Sequence, residues 1–237
     1  MKSSINKLKS RGFVDKFQID YDVSVTSLEN LLTSETPEKR TLAAIIIQEK
    51  NIFCLIPNLI SALKIEKKLY SKIAISETLI NFEEKSIEPL IPLLGQIGNN
   101  QHQKLPKAPF KKDNYPLPRD IVARILSQMG VDVISILLNA VDRMLRDQLL
   151  ESIDVMGNIT YYSQNTDSLI FLLDLFEKNK NDKLMIWKII RAFSSFSEAK
   201  VIEILEKIIN DSKIEQHVWE AKRSLCLIKR RSKSEAI

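Results

Sequence analysis

The chain has 237 residues, of which 44% are hydrophobic and 27% are charged, and its formal net charge is +5. Its five glycines are too few for most strand-rich folds and for glycine-rich phosphate loops, and no apolar run reaches the roughly 18 residues of a membrane-spanning helix. The basic N-terminus also lacks the continuous apolar core of a secretory signal. We therefore expect an all-α cytoplasmic protein.

Helical periodicity begins at Val25–Leu32, in a segment of residues 1–36 that we expect to form an N-terminal cap. It then recurs in pairs. Six first helices share an apolar face formed three and seven positions after their first residue, and they start at Arg40, Lys72, Arg119, Arg146, Ile186 and Val218. Second helices follow most of them, around Leu59, Leu90, Leu137 and Ile204, with a displaced one around Leu172 after the longer turn 158–168.

Glycine and proline mark several helix boundaries in this pattern. Gly130 and Gly157 lie where the first helices of the third and fourth pairs should end, and Pro37 lies near the start of the first. Cys54 and Cys226 occur in apolar helical patterns, where a thiol is usually a small buried hydrophobe. We expect no disulfide framework.

Residues 68–94, KLYSKIAISETLINFEEKSIEPLIPLL, resemble HEAT repeats of the short bacterial and archaeal type, often called PBS-lyase HEAT-like repeats. The resemblance covers roughly residues 24–229. It implies one domain over residues 1–237, a right-handed α-α superhelix (a HEAT-like solenoid) of five to six helical hairpins. Most members of that family are scaffolds or adaptors. The resemblance therefore implies a curved binding surface, although Ile186 and Val218 depart from the basic first residue typical of the repeat.

Between the second and third pairs, residues 99–118 form an insertion rich in proline and lysine. The prolines disfavour helix, so we expect an extended or irregular loop. Such a loop either contacts a partner or packs back onto the helices. For the first alternative we predict partner contacts from its aromatic and basic residues: Lys104, Lys107, Phe110, Lys111, Lys112 and Tyr115.

The positive charge is concentrated in three segments. Residues 1–16 and 99–119 each hold five basic residues and one acidic residue, and residues 217–237 hold six basic and two acidic ones, so the rest of the chain is net acidic. The tail 230–237 is basic. The second helices, which line the concave face in HEAT-like stacks, carry four acidic residues toward the C-terminus: Asp174, Glu177, Glu203 and Glu206. An acidic face repels phosphates, and it either keeps the stack solvated or holds a basic or amphipathic partner segment.

No catalytic motif is present. His102 and His217 are the two histidines, and neither has the spacing of a zinc site, so we expect no metal and no cofactor. Trp187 and Trp219 hold equivalent positions in two units, which favours packing between repeats. The sequence indicates a non-enzymatic protein-binding scaffold that uses the concave face and the 99–118 loop. The alternative is nucleic-acid association through the basic termini and loop.

Overall fold

The computed structural model describes residues 4–15 and 21–234. Within these ranges the chain forms thirteen α-helices and no β-strand, which confirms the predicted all-α class. None of the described helices is long and apolar enough to cross a membrane. The helices are α1 Ile5–Lys9, α2 Val25–Leu32, α3 Pro37–Glu49, α4 Ile56–Ile65, α5 Leu69–Asn81, α6 Glu84–Leu90, α7 Ile121–Leu126, α8 Asp132–Ala140, α9 Arg146–Ser163, α10 Leu169–Lys178, α11 Lys183–Phe193, α12 Ala199–Asp211 and α13 Glu215–Ser234.

The predicted succession of helix pairs is present in the described residues. The first helices are α3, α5, α7, α9, α11 and α13, and the second helices are α4, α6, α8, α10 and α12. The helix predicted in the N-terminal cap is α2, with the predicted bounds. Internal contacts divide the chain into two compact units, Met1–Leu90 and Ile91–Ile237, which we call unit 1 and unit 2.

In unit 1, α3 packs against both α2 and α5. Hydroxyl groups form hydrogen bonds across the α3–α5 contact. Thr41 Oγ1 donates to Ser71 Oγ over 3.0 Å, and Thr78 Oγ1 donates to the Ala44 carbonyl over 2.9 Å. All three hydroxyl side chains are buried, and each has a hydrogen-bond partner, as buried polar groups require. The contact between these two helices is therefore neutral and fully satisfied.

The N-terminal segment closes one end of this contact. Tyr70 N donates to the Arg11 carbonyl over 3.0 Å, and Phe13 packs edge-on against the Tyr70 ring. Gly12 has a φ of +90°, and a Cβ there would lie 2.3 Å from Ser71 Oγ. Only glycine fits this close approach without strain. Residues 11–13 thus lie against α5, as part of a cap would.

In unit 2, α11 packs against both α9 and α13. Some of the side-chain hydrogen bonds between these helices span the same number of residues along the chain. Ser224 Oγ donates to the Ile190 carbonyl and His217 Nε2 contacts the Lys183 carbonyl, both 34 residues away, and 34 is also the separation of the Thr78 bond in unit 1. Equal separations of this kind are expected where helix pairs repeat along a chain.

Two boundary predictions are confirmed. Pro37 is the first residue of α3, where its missing N–H costs nothing. Gly130 follows α7 with a positive φ, after one further turn. Part of the predicted basic tail is helical, because α13 continues to Ser234, and residues 235–237 lie outside the described residues.

Three boundary or burial predictions are wrong. Gly157 does not end a helix: α9 runs through it to Ser163, so the turn predicted at 158–168 is shorter. The Tyr115 side chain of the insertion occupies the space beside Gly157, which explains why a glycine lies inside this helix. Cys54 and Cys226 are exposed free thiols, since the apolar faces of their helices turn other residues inward.

Candidate functional site

Four charged side chains meet between α9 and α11, and we call them the ion cluster: Glu151, Asp154, Lys188 and Arg191. Lys188 is 0% exposed, and its Nζ lies 2.6 Å from Glu151 Oε1 and 3.0 Å from Asp154 Oδ2. It also donates to the Leu150 carbonyl over 3.0 Å. Arg191 Nη2 donates to Asp154 Oδ1. The cluster is therefore a closed network with two charges of each sign.

The spacing of the residues along the helices explains the network. On α9 the two carboxylates are three residues apart, and on α11 the two cations have the same separation. Residues at i and i+3 share a helix face, so the packing of α9 on α11 places the two pairs opposite each other. A matched pair on each helix is what lets four charges be buried together.

Burial perturbs the titration of the cluster. Burial and the neighbouring Asp154 raise the pKa of Glu151 to about 7, against the opposing effect of Lys188. Burial also acts to raise the pKa of Asp154, but Arg191 and Lys188 outweigh it and hold that pKa below its usual value. Glu151 Oε2 is buried without a hydrogen-bond partner among the described residues. Glu151 is thus the titrating member of the cluster near neutral pH.

Residues 101–119, which comprise most of the insertion and Arg119, lie against α9 and α11. Tyr115 fixes them there. Tyr115 is 2% exposed and lies against Gly157 of α9, where a Cβ would come 2.1 Å from Tyr115 Oη. Its ring also packs on Tyr161, with centroids 5.7 Å apart. Burial raises the pKa of Tyr115, and its hydroxyl has no hydrogen-bond partner in the described chain. Any side chain at position 157 would collide with the Tyr115 side chain.

Buried polar contacts hold the two ends of the same segment. Gln101 Nε2 donates to Asp120 Oδ2 over 2.7 Å and to the Ile97 carbonyl over 2.8 Å. Asp120 Oδ1 in turn accepts from Ala123 N over 2.8 Å and so caps α7. Burial raises the pKa of Asp120. The loop therefore begins and ends at one buried side-chain pair.

Helix α13 holds the middle of the segment. Arg223 Nη2 donates to the Asn114 carbonyl over 2.5 Å, and the Arg223 guanidinium lies 5.1 Å from the Phe110 ring centroid. Arg230 Nη1 pairs with Asp113 Oδ1 over 2.8 Å. The expectation of an irregular loop is confirmed. Of the two alternatives for it, the structure shows packing onto the helices of unit 2.

A cleft of about 590 Å³ opens between this segment, α9 and α11. The His102 and Trp187 rings meet edge-to-face in it, with centroids 4.9 Å apart, and Arg191 lies 4.5 Å from the Trp187 ring centroid. Tyr162 of α9 and Arg119 also line it. Burial and the neighbouring Arg191 lower the pKa of His102 to about 4. An apolar cleft with a few convergent polar groups is the usual form of a ligand site.

The predicted contact residues of the loop divide into three groups. Phe110 and Lys112 line the cleft and are exposed. Tyr115 also lines it, but its side chain is buried and packs within unit 2 rather than presenting a free surface. The remaining three are exposed lysines that do not line the cleft: Lys104, Lys107 and Lys111.

The predicted acidic residues lie on α10 and α12, and all four are exposed: Asp174, Glu177, Glu203 and Glu206. Three of them have lysine partners. Lys178 lies 2.7 Å from Asp174, Lys180 lies 2.5 Å from Glu177, and Lys200 lies 3.7 Å from Glu203. The acidic character expected there is thus largely balanced by neighbouring lysines. Between α10 and α12 lies a groove of about 470 Å³ with an apolar floor that includes Phe176, Ile204 and Ile208.

Sequence reasoning missed the ion cluster and the aromatic floor of the cleft. A signal for the cluster was visible, because Lys188 and Arg191 interrupt the otherwise apolar run Leu184–Phe193. Trp187, interpreted as packing between repeats, is buried in the core of unit 2 and also lies against His102 and Arg191. His217, one of the two histidines, is buried, and its Nε2 contacts the Lys183 carbonyl.

Among the described residues, no group of three or more His, Cys, Asp or Glu side chains is arranged to hold a metal ion. Comparison of the chain with protein-family models, curated proteins and solved structures finds no match in any of the three.

Proposed function

We propose that the protein is a non-enzymatic helical-repeat scaffold of the HEAT type that binds a protein partner. Its main contact is the cleft formed by residues 101–119, α9 and α11. The succession of helix pairs and the recurring 34-residue hydrogen bonds support a repeat architecture. A right-handed α-α superhelix is the arrangement we propose for these pairs. The exposed sides of α10 and α12 would extend the binding surface.

The observation that carries the proposal is the way the insertion is built into unit 2. Tyr115, Gln101 and Arg223 fix the segment at three separate points. A fixed segment loses little conformational entropy when a partner binds, so preorganisation raises affinity. The cleft that results presents aromatic and cationic groups, which are the residue types enriched where proteins bind one another.

Site-specific photocrosslinking tests the proposal. We would place a photoreactive amino acid at Leu117, a cleft-lining residue that is 65% exposed, and a matched one at Leu145, which is 68% exposed and precedes α9. We expect one saturable protein adduct from position 117 in the native host, and none from position 145. The adduct should disappear when excess unmodified protein competes. Equal labelling from the two positions would contradict the proposal.

A second candidate function is nucleic-acid association. The contact of Arg223 and Arg230 with the loop brings basic residues of α13 beside Lys111 and Lys112. Neutralised phosphates release counterions, so nucleic-acid affinity falls steeply with salt. Titration of labelled duplex and single-stranded oligonucleotides at low and near-physiological salt decides between the candidates. Binding that survives physiological salt and is weakened by the double variant Lys111→Gln, Lys112→Gln would favour nucleic acid.

A further inference from the structure

The cleft has hydrogen-bonding capacity that the chain itself does not use. Arg191 spends Nη2 on Asp154, but its Nε is buried without a partner in the described chain, and the residue is only 6% exposed. A buried donor without an acceptor is destabilising. Because Arg191 lines the cleft, its unpartnered donor indicates a ligand that supplies acceptor oxygens.

The sign and number of the charges limit that ligand. Within the ion cluster, two carboxylates face two cations, and because Glu151 titrates near neutral pH the cluster adds less than one positive charge. Arg119, exposed at the cleft, is a further cation, and no ion pair involves it among the described residues. The lowered pKa of His102 has burial as its main cause, followed by the positive field of Arg191. These groups match one negative charge better than the two of a phosphate.

The walls of the cleft specify the rest of the ligand. Pro106, Pro109, Pro116 and Leu117 give it flat apolar surfaces, and Phe110 and Tyr162 add aromatic rings. Such surfaces favour a planar apolar group, because aromatic side chains gain both from burial and from ring geometry. The volume of about 590 Å³ accommodates one aromatic residue with its carboxyl group.

We propose that the cleft binds the carboxyl-terminal aromatic residue of the partner protein. The chain-end carboxylate is received by Arg191 and Arg119, and the aromatic ring lies between the proline-rich wall and Trp187. This inference rests on the proposed scaffold function, because it names the part of the partner that is recognised. An internal segment would not serve, since it carries no carboxylate on its own backbone.

The test uses a fluorescein-labelled tetrapeptide, Gly-Ser-Gly-Phe, with a free carboxyl terminus, and its carboxyl-terminal amide as the matched neutral probe. Fluorescence anisotropy with the full chain should show the acid binding at least tenfold more tightly than the amide. Replacing the terminal Phe by Ala should weaken binding by a similar factor. Equal affinities for acid and amide would overturn the proposal.

Two variants that make the same charge change locate the binding. Arg119→Gln removes the exposed cation at the cleft and should weaken binding of the acid at least fivefold, with little change for the amide. Lys107→Gln removes a cation from the same segment but outside the cleft lining, and it should leave both affinities unchanged. Equal losses in the two variants would indicate general attraction of an anion to a basic loop, which contradicts the proposal.

The outcomes also separate this inference from the scaffold function. An adduct from position 117 together with equal binding of acid and amide would leave the scaffold standing and refute carboxylate recognition. Selective binding of the acid without any protein adduct would refute the scaffold. Displacement of the peptide by millimolar N-acetyl-phenylalanine is expected, since both carry the same group. Tighter binding of that small acid than of the peptide would replace the chain end by a free aromatic acid as ligand.

Discussion

The α3–α5 and α9–α11 contacts each join two consecutive first helices, but the polar side chains between them are neutral in one contact and charged in the other. In unit 1, Thr41, Ser71 and Thr78 seal the contact with neutral hydrogen bonds. In unit 2, the ion cluster occupies the contact, and its side chains are nearly as deeply buried. Both arrangements satisfy most of their polar groups. The charged one lies beside the cleft formed by residues 101–119, α9 and α11.

This difference indicates that the packing of two first helices does not require a buried ion cluster. Desolvating a charge costs several kcal/mol, and a buried ion pair is often no more stable than apolar residues of similar volume. The hydroxyl hydrogen bonds of the α3–α5 contact bury no charge and so avoid this desolvation cost. The cluster does, however, fix Arg191 beneath the cleft through Asp154. We interpret the charged contact as one that positions a binding group, at a cost in stability that the neutral contact avoids.

The largest expected effect comes from breaking the charged contact. Lys188→Met removes the cation that holds both carboxylates, so Glu151 loses its partner in a buried position. We expect the free energy of unfolding to fall by about 3–5 kcal/mol. Denaturant unfolding followed by circular dichroism measures it. The double variant Glu151→Met, Lys188→Met removes the whole pair and should recover at least half of that loss.

The matched control lies in the neutral contact. Thr41→Val removes the hydroxyl that donates to Ser71 and should cost only about 1 kcal/mol. A loss in Thr41→Val as large as that in Lys188→Met would show that the two contacts do not differ in the way we describe.

A second effect of the charged contact depends on pH. The pKa of Glu151 is raised from 4.5 to about 7 in the folded chain. Between these values the folded chain keeps a proton that the unfolded chain has lost, so stability falls as the pH rises, by about 3 kcal/mol in total. Glu151→Gln mimics the protonated form and should lack this slope. Unfolding of both proteins from pH 4.5 to pH 8 gives the difference.

His102 adds a slope of opposite sign, because its pKa is lowered to about 4 and stability is lost as the pH falls below its ordinary value of 6.5. This slope is common to the parent chain and to Glu151→Gln, so it cancels in their difference. Parallel stability curves for the two proteins would refute the assignment of the titration to Glu151.

A smaller effect tests how the insertion is fixed over the charged contact. In a helix, Gly→Ala normally stabilises by up to about 1 kcal/mol. At Gly157 the added methyl group collides with Tyr115 Oη, so we expect Gly157→Ala to destabilise by about 1–3 kcal/mol. In a Tyr115→Ala background the nearest remaining atom is Ala192 Cα at 3.0 Å, and the cost should fall below about 1 kcal/mol. Additive costs in the double variant would rule out the Tyr115 contact as the cause.

These tests concern residues that the sequence revealed to different degrees. Helix pairing was predictable, because apolar residues such as Leu59 and Leu137 recur with helical period and each pair buries its own side. Gly157 was wrongly predicted to end a helix. The ring that requires a glycine there belongs to Tyr115, 42 residues earlier in the chain, and no local pattern shows this contact. The ion cluster required knowing that α9 lies against α11. The cleft required the path of the loop, which buried contacts such as that of Gln101 with Asp120 determine.

The smallest expected effect compares two ion pairs made by arginines in the first turns of α3 and α9. Arg40 of α3 makes two hydrogen bonds with Glu66, at 2.6 and 2.9 Å, and Arg146 of α9 makes two with Asp182, at 2.6 and 3.0 Å. The Glu66 side chain is 1% exposed, whereas Arg146 is 52% exposed. Arg40→Gln should therefore cost about 1–2 kcal/mol, because it leaves a buried carboxylate short of a donor.

Arg146→Gln should cost less than about 1 kcal/mol, because water and salt already screen that pair. Burial acts to raise the pKa of Glu66, but the hydrogen bonds from Arg40 and the backbone hold it below its usual value. The Arg40 contribution is thus present at neutral pH and is lost as the pH falls below the ordinary value for glutamate. Thermal unfolding of both variants at pH 7 and pH 3 checks this, and equal losses at the two pH values would show that Arg40 stabilises α3 by packing rather than by charge.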